Sequence, residues 1–489
     1  MDSIKMTTEP QLLKGWKKYR VSDIGISMTG NTPSTKKEKN YGKHLPFIKP
    51  PELSNSRIST SETYLSTEGA KVARILPENS ILISCIGNLG KVGINIKPVA
   101  FNQQINAIIP NKIVNPLFLF YQAQSIFFKN QLEEKSSATT ISIVNKTSFE
   151  SIYVYIPPLE TQQAIVNKIE SLFDEIDEGV GRLKTAARQI QQYRQSLLKN
   201  AFNGELTKEW RSKHADTLPS ENELLAQIQT AREQYHAQQL ADWQTAVSQW
   251  EQNGKEGKKP SKPKAPTQAV KFEENSENRN KNSYIRIPIG FFIETPKYGT
   301  SKKCEYEKYE NSTGVIRIPN ITENGLINLE DMKYAEFSTE DKTDYALKKG
   351  DLLLIRSNGS VNIVGSVGLV GLEETNYIYA GYLIRLRPIQ DIVNSRFLKF
   401  AFQSLDVRTQ IEFKAKSISG VNNINAQEVQ DLQVNVFSLP EQTQIVAILE
   451  SKLTACDQLA AELSKQLKQA ELLKQAVLKA AFSGNLLDK

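Results

Sequence analysis

Residues 159–206 read LETQQAIVNKIESLFDEIDEGVGRLKTAARQIQQYRQSLLKNAFNGEL, and residues 439–486 read LPEQTQIVAILESKLTACDQLAAELSKQLKQAELLKQAVLKAAFSGNL. The two align without a gap at a constant offset of 280, and 16 of the 48 positions are identical. Ile165/Ile445, Val166/Val446, Asp177/Asp457, Leu183/Leu463, Leu198/Leu478 and Lys199/Lys479 are among them, as are the closing stretches AFNGEL and AFSGNL. In the first copy Ile165, Ile169, Leu172, Ile176, Gly179, Leu183, Ala186, Ile190, Tyr193 and Leu197 alternate steps of four and three, the heptad seam of a coiled coil. The second copy repeats it as Ile445, Leu449, Cys456, Leu459, Leu463, Ala470, Leu473 and Val477, with Lys452 and Gln466 as polar interruptions. A stripe this narrow needs a partner helix to cover it, and the other copy supplies one. Pro158 and Pro440 stand ahead of the helices and Gly204 and Gly484 follow them, as helix start and stop chemistry requires. About 40 residues at 1.5 Å rise span roughly 60 Å.

Outward from these helices the repeat continues more loosely. FIKPPEL (47–53), LPENSILISCIGNLGKVG (76–93), FNQQINAIIP (101–110), NPLFLFYQAQS (115–125) and NKTSFESIYV (145–154) are answered in order. Their counterparts are VIRIPNI (315–321), LKKGDLLLIRSNGSVNIVGSVG (347–368), YAGYLIRLRP (379–388), NSRFLKFAFQS (394–404) and NAQEVQDLQV (425–434). The offset grows from 268 to 280, so the second copy gains loop insertions. Short apolar runs bounded by Gly, Asn and Pro predict strands, and NPLFLF and NSRFLKF predict helices, giving two α+β domains. Between the halves, 221–251 predicts a polar helix with Trp243 and Trp250 as anchors. The Lys/Pro/Gly-rich stretch 253–270 predicts an extended linker, solvated or, less favoured, touching DNA directly.

The chain has 489 residues, 61 Lys plus Arg against 54 Asp plus Glu, 39% hydrophobic and 24% charged residues. That composition excludes disorder throughout and suits two to four globular units, at roughly 100–200 residues each. No stretch approaches the roughly 18 apolar residues of a spanning helix, and the start MDSIKMTTEP lacks the apolar core of a secretory signal, so a cytoplasmic location is expected. Cys85, Cys304 and Cys456 are isolated, with no CxxC spacing, and are expected to be small apolar fillers rather than disulfide or zinc ligands. His44, His214 and His236 are isolated too, and no metal site is expected. A net charge of +7 favours an anionic partner only where the charges gather.

The order variable domain, long helix, variable domain, long helix resembles the specificity subunits of type I restriction-modification systems over nearly the whole chain. The resemblance is carried by P-L-E-x-Q-x-x-I-V at 158–166 with LPEQTQIV at 439–446, by the AF-x-G-x-L closures, and by LTKEW at 206–210. It implies an α+β chain of two target-recognition domains, each reading one half of a bipartite DNA sequence, separated by two long antiparallel coiled-coil helices in a pseudo-twofold repeat. It assigns an N-terminal recognition domain to 1–156, a first spacer helix to 157–206, a central helix and linker to 207–283, a C-terminal recognition domain to 284–437 and a second spacer helix to 438–489. The implied partners are double-stranded DNA, two methyltransferase subunits docked on the helices, and restriction subunits. S-adenosylmethionine, ATP and Mg2+ would then be used by those partners, none by this chain, and the methylated base would be adenine.

The residues themselves favour binding over chemistry. Lys49-Pro50-Pro51-Glu52 lacks the amide or acid and the aromatic that a methyltransferase needs around a flipped base. Gly90-Lys91 is followed by Val92, not the hydroxyl of a phosphate-binding loop, and Glu133-Glu134-Lys135 has no Pro-Asp ahead of it. A diverged methyltransferase or nuclease is the alternative, and an architectural coiled coil a third reading.

For phosphate contact, where hydroxyls and lysines on loops orient without reading sequence, the candidates are Thr32, Ser34, Lys36 and Lys37 in the first domain. Lys297, Ser301, Lys302 and Lys303 are their counterparts in the second. Base reading needs paired donors and acceptors, chiefly Arg to guanine and Asn or Gln to adenine. The first domain offers Asn88, Lys91, Asn102, Gln103 and Gln104; the second offers Arg317, Arg356, Ser357, Asn358, Asn362, Asn422 and Asn423. The late loops 136–146 and 415–426 fall in matching places, and the differences between aligned loops imply two different half-sites.

Overall fold

The apolar periodicity of the two repeated stretches closes into two helices of 44 residues each, Leu159–Phe202 and Leu439–Phe482. A computed structural model describes residues 15–137, 141–257, 259–265, 284–415 and 420–487. The middle of the late loop 136–146, the start of the late loop 415–426 and the far end of the linker 253–270 lie outside the described residues. Contacts divide the chain into two units, Met1–Ala187 with Ala461–Lys489, and Arg188–Ala460, so each long helix contributes residues to both units.

In the first unit, strand Lys17–Arg20 pairs antiparallel with Tyr153–Ile156 and leads the chain into the first long helix. A five-stranded sheet follows the order Gly25–Thr29, Ile105–Pro110, Ile81–Ser84, Val92–Asn95, Ser56–Ile58. A second sheet is built on Tyr41–Ile48 and Val99–Phe101. Helices Pro116–Ala123, Ile126–Glu134 and Lys146–Glu150 start from Asn115, Ser125 and Asn145, whose side chains accept from the amides of the first turn.

The second unit rebuilds the same plan. Ile285–Pro288 pairs with Gln433–Val436, and the sheet order Lys297–Tyr298, Leu383–Leu386, Leu352–Ile355, Val367–Leu369 matches the first four strands above. Helices Ser395–Gln403 and Ala426–Gln430 again start from asparagines, Asn394 and Asn425. The predicted helices of NPLFLF and NSRFLKF are therefore present with their caps.

Each long helix is tied to the α+β domain before it by a buried glutamine that the alignment repeats. Gln162 donates to the carbonyls of Ile113 and Pro157 at 2.9 and 2.8 Å and accepts from the Asn115 amide at 2.7 Å. Gln442 donates to Ile392 and Phe437 at 3.0 and 2.8 Å and accepts from Asn394 at 2.8 Å. Both side chains are fully buried, so all three polar partners depend on them. Within the first unit the start of one helix (Ile165, Val166, Ile169) and the end of the other (Val477, Leu478, Ala481, Phe482) share one core. Ile445, Val446 and Leu449 share a core with Leu197, Leu198, Ala201 and Phe202 in the second unit. The helices run antiparallel in each: Lys474 pairs with Asp177 at 2.6 Å in the first unit, and the aligned Arg194 pairs with Asp457 in the second. Asp177/Asp457 and Arg194/Lys474 are related by the offset of 280, so each unit carries the same ion pair.

Those ion pairs correct part of the expected seam. Tyr193, Leu459 and Leu473 are 45%, 57% and 52% exposed, while Arg194, Ala460 and Lys474 beside them are half-buried. Leu453 is buried where the sequence pattern placed Lys452. Apolarity favoured the tyrosine and leucines, but Arg and Lys lay their apolar stems along the partner helix and send the charge to an aspartate. Pro440 is likewise not ahead of its helix but in its first turn, where no amide donor is needed. Gly204 and Gly484 follow the last helical residues at φ +80°, a conformation that terminates a helix at little cost only for glycine. Cys85 and Cys456 are buried as expected, whereas Cys304 is half-exposed. Among the described residues no helix is long and apolar enough to cross a membrane.

The LTKEW segment closes the second unit. Thr207 Oγ1 donates to Glu441 Oε1 at 2.6 Å, and Arg211 reaches the same oxygen through Nε at 2.9 Å and Nη2 at 2.6 Å. Glu441 is fully buried, so this clasp fixes the chain leaving the first long helix against the start of the second.

Candidate nucleic-acid interface

One backbone frame recurs at the end of the central strand in each α+β domain. In the first, the Cys85 amide donates to Gln104 O at 2.8 Å, Val144 donates to Cys85 O at 2.8 Å, and Ile86 bridges Ile143. In the second, Arg356 donates to Tyr382 O at 3.0 Å, Ile424 donates to Arg356 O at 2.8 Å, and Ser357–Asn358 pairs with Asn422–Asn423. A glycine brings the preceding loop against this frame in both: a Cβ on Gly30 would lie 2.1 Å from Asn102 O, and one on Gly299 2.3 Å from Ala380 O. The frame is common, and the side chains it presents differ.

In the second domain it gathers five residues singled out in the sequence: Arg356, Ser357, Asn358, Asn422 and Asn423. Arg356 lies with its guanidinium 4.8 Å from the centre of the Tyr298 ring, and its Nε donates to Asn423 Oδ1 at 3.3 Å. Tyr298 is itself fixed, its hydroxyl accepting from the Ala426 amide at 3.0 Å. Among the described residues neither Nη1 nor Nη2 of Arg356 has a hydrogen-bond partner, and such a fork suits guanine O6 and N7. Asn422 donates to Gly359 O at 3.0 Å and Asn358 Oδ1 accepts from the Ser360 amide at 2.9 Å, which shapes the turn. Ser301 is exposed on the neighbouring loop, and Tyr382, 64% exposed, stands on the turn that receives the Arg356 amide.

The corresponding frame of the first domain carries Cys85 where Arg356 stands, and its polar groups are displaced to the adjoining loops. Thr32 Oγ1 donates to Gln103 Oε1, joining the loop that carries Ser34, Lys36 and Lys37 to the turn at 102–104. Gln103, Asn88, Ser34, Lys36 and Lys37 are exposed, and Lys91 is half-buried. Asn102 turns inward: it is 8% exposed, donates to Gln104 Oε1 at 3.0 Å and accepts from the Gln104 amide at 3.1 Å. Its role is to shape the turn, and that engages Gln104 as well. Burial pushes the Cys85 thiol up to about 12, which leaves it an apolar filler under this surface.

Several candidates are committed to internal partners. Arg317 pairs with Asp331 at 3.2 Å and donates to its carbonyl at 2.9 Å, under the Tyr306 ring. Lys297 holds Asp344, Lys302 donates to Glu336 O at 2.5 Å, and Lys303 pairs with Glu305 at 3.1 Å while remaining 89% exposed at its side chain. Asn362 is exposed, but its carbonyl accepts from Arg408 at 3.0 Å. Tyr298 and Tyr382 were missed in the sequence; an aromatic beside a loop lysine in ETPKYGT was the available signal.

A family model described as type I restriction modification DNA specificity domain matches residues 13–183 and 291–469. The chain is 22% identical over 488 residues to the type I restriction enzyme EcoKI specificity subunit of Escherichia coli K12, covering 97% of this chain and 90% of that protein. It is 21% identical over 487 residues to the StySPI specificity subunit of Salmonella potsdam, with the same coverage. A solved chain from work on complex assembly and conformational transition of a type I R-M system superposes with a TM-score of 0.64 at 16% identity, covering 97% of this chain and 99% of that one. That likeness shows the fold. With one matched domain in each half, the chain belongs to the family of type I restriction-modification DNA specificity domains.

Proposed function

We propose that this type I specificity subunit reads two different half-sites, one through each recognition domain. The observation that carries the reading is the shared frame: the same backbone hydrogen bonds place Arg356, Asn358, Asn422 and Asn423 in one domain and Cys85 in the other, where Thr32, Asn88 and Gln103 stand on the adjoining loops. A common frame with unlike polar groups gives a common approach to a groove and unlike base preferences. Lys36 and Lys37 would take phosphates in the first domain, and Lys303 in the second. The alternative of a fused methyltransferase or nuclease does not match the family or its full-length relatives, which are specificity subunits.

Two methyltransferase subunits would dock on the outward faces of the long helices, one per repeat, and the helices would set the unread gap. These partners would bring S-adenosylmethionine and methylate adenine, and restriction subunits would bring ATP- and Mg2+-dependent cleavage in the cytoplasm. Reconstitution with the cognate methyltransferase, labelled S-adenosylmethionine and duplex DNA tests this. The expected outcome is no transfer by the chain alone, transfer on addition of the partner, and a complex mass of two partners per chain. Transfer by the chain alone, or a stable complex saturated at one partner, contradicts it.

A further inference from the structure

The central helix and the lysine-rich segment after it form one built object on the second recognition domain. Helix Glu221–Gln252 starts at a capping box on Ser220, and Leu224 and Ile228 enter the core of the second unit. Arg232 lies 4.3 Å over the Phe291 ring, and Tyr235 donates to Glu294 at 2.5 Å. Beyond Gln252 the chain reverses through Gly254, Lys255 and Gly257, all at positive φ, and returns along its own helix. Two tryptophans pin the return: Trp250 Nε1 donates to Gly257 O at 3.2 Å and Trp243 Nε1 to Pro260 O at 3.0 Å.

The returning strap is KPSKPKA, residues 259–265, neither helix nor strand. Pro260 and Pro263 are half-buried, while Lys259, Lys262 and Lys264 are exposed. Prolines three apart favour an extended chain with three residues per turn, which places them on the inner edge and Lys259 and Lys262 together on the outer one. Their ammonium groups stand 5.9 and 5.8 Å from the centres of the Trp250 and Trp243 rings, so the rings restrict the lysines without covering them. The strap also walls a cleft of about 450 Å³ whose opposite side is Thr295, Pro296, Lys297 and Gln430. Lys297 precedes Tyr298, the ring that orients Arg356. The row of cations therefore ends at a cleft whose far wall includes Lys297, next in sequence to Tyr298.

We infer that residues 259–264 form a phosphate rail: Lys259, Lys262 and Lys264 grip the backbone of duplex DNA flanking the half-site read by the second domain. The inference rests on the DNA-reading function proposed above. The rail carries no base-reading geometry, so it supplies affinity without sequence preference.

The test replaces Lys259, Lys262 and Lys264 with Gln in the full chain assembled with its methyltransferase, with a triple Lys→Arg form as charge control. Binding to a target duplex and to a scrambled duplex is measured across a salt series. At roughly 0.9 per phosphate contact, the Gln form should lower the magnitude of the slope of log K against log salt by up to about 2.7 for both duplexes. The target-to-scrambled ratio should not change, the Arg form should keep the wild-type slope, and backbone footprinting should lose protection on one flank only. An unchanged slope in the Gln form with target binding intact overturns the rail and leaves the parent reading standing. A Gln form that keeps its slope but sheds the methyltransferase also overturns it, making the strap a protein dock. A wild-type complex with no preference for any duplex defeats the parent reading and the rail with it.

Discussion

The Arg356 cluster makes a graded prediction. Three groups position the guanidinium: the Tyr298 ring at 4.8 Å, Asn423 Oδ1 at 3.3 Å from Nε, and the strand pairing of Ser357 with Asn423. Arg356→Ala removes the fork itself, and a bidentate Arg–guanine contact contributes about 1–3 kcal/mol of discrimination, or about 5- to 150-fold at one base pair. Tyr298→Ala leaves the fork but frees it; a half-exposed cation–π contact contributes about 0.5–1 kcal/mol, so the preference should fall by about 2- to 5-fold. Tyr298→Phe keeps the ring and loses only the hydroxyl that accepts from the Ala426 amide, so the preference should hold. The assay is competition binding of the assembled methyltransferase to duplexes carrying each of the four bases at every position of the second half-site. The expected loss is larger for Arg356→Ala than for Tyr298→Ala, both confined to one position, with Tyr298→Phe at the wild-type preference. Uniform loss of affinity for every duplex in the Arg356 variant would refute the reasoning and make Arg356 a phosphate contact.

Arg211→Ala should strip the fully buried Glu441 carboxylate of its cation and cost about 3–5 kcal/mol, seen as faster hydrogen exchange in the second unit, while Arg211→Met with Glu441→Met should recover most of it. Seven-residue helical insertions after Leu183 and after Leu463 keep the seam in phase and add roughly 10 Å, so methylation mapping should show a gap about three base pairs longer with both half-sites unchanged. Alkylation of the native chain at neutral pH, followed by mass spectrometry, should label half-exposed Cys304 first and spare buried Cys85, whose thiol is pushed up to about 12.

What was legible in the sequence followed from periodicity. The paired long helices and the strand order beneath them repeat because both halves solve the same packing problem, and even the buried glutamines recur at the aligned positions 162 and 442. Residue roles were less legible, because a charge announces itself in sequence but its partner does not. Asp331 lies 14 residues from Arg317, and Glu336 lies 34 from Lys302, so neither commitment shows in a linear pattern. Arg194 and Lys474 were passed over for the opposite reason: their apolar stems do the seam's work under a charged label. Asn102 looked like a reader because amides read adenine, yet a turn uses the same amide chemistry internally. Tyr298 became visible only when the fold placed its ring under Arg356.

The central claim, that each domain reads its own half-site through the common frame, is tested most directly by methylation mapping of three assembled enzymes side by side: wild type, Arg356→Ala and Gln103→Ala. The expected result is a bipartite wild-type target, relaxation of one half in the Arg356 variant, relaxation of the other half in the Gln103 variant, and the same gap in all three. Relaxation of the same half by both variants, or a target without two separable halves, would contradict it.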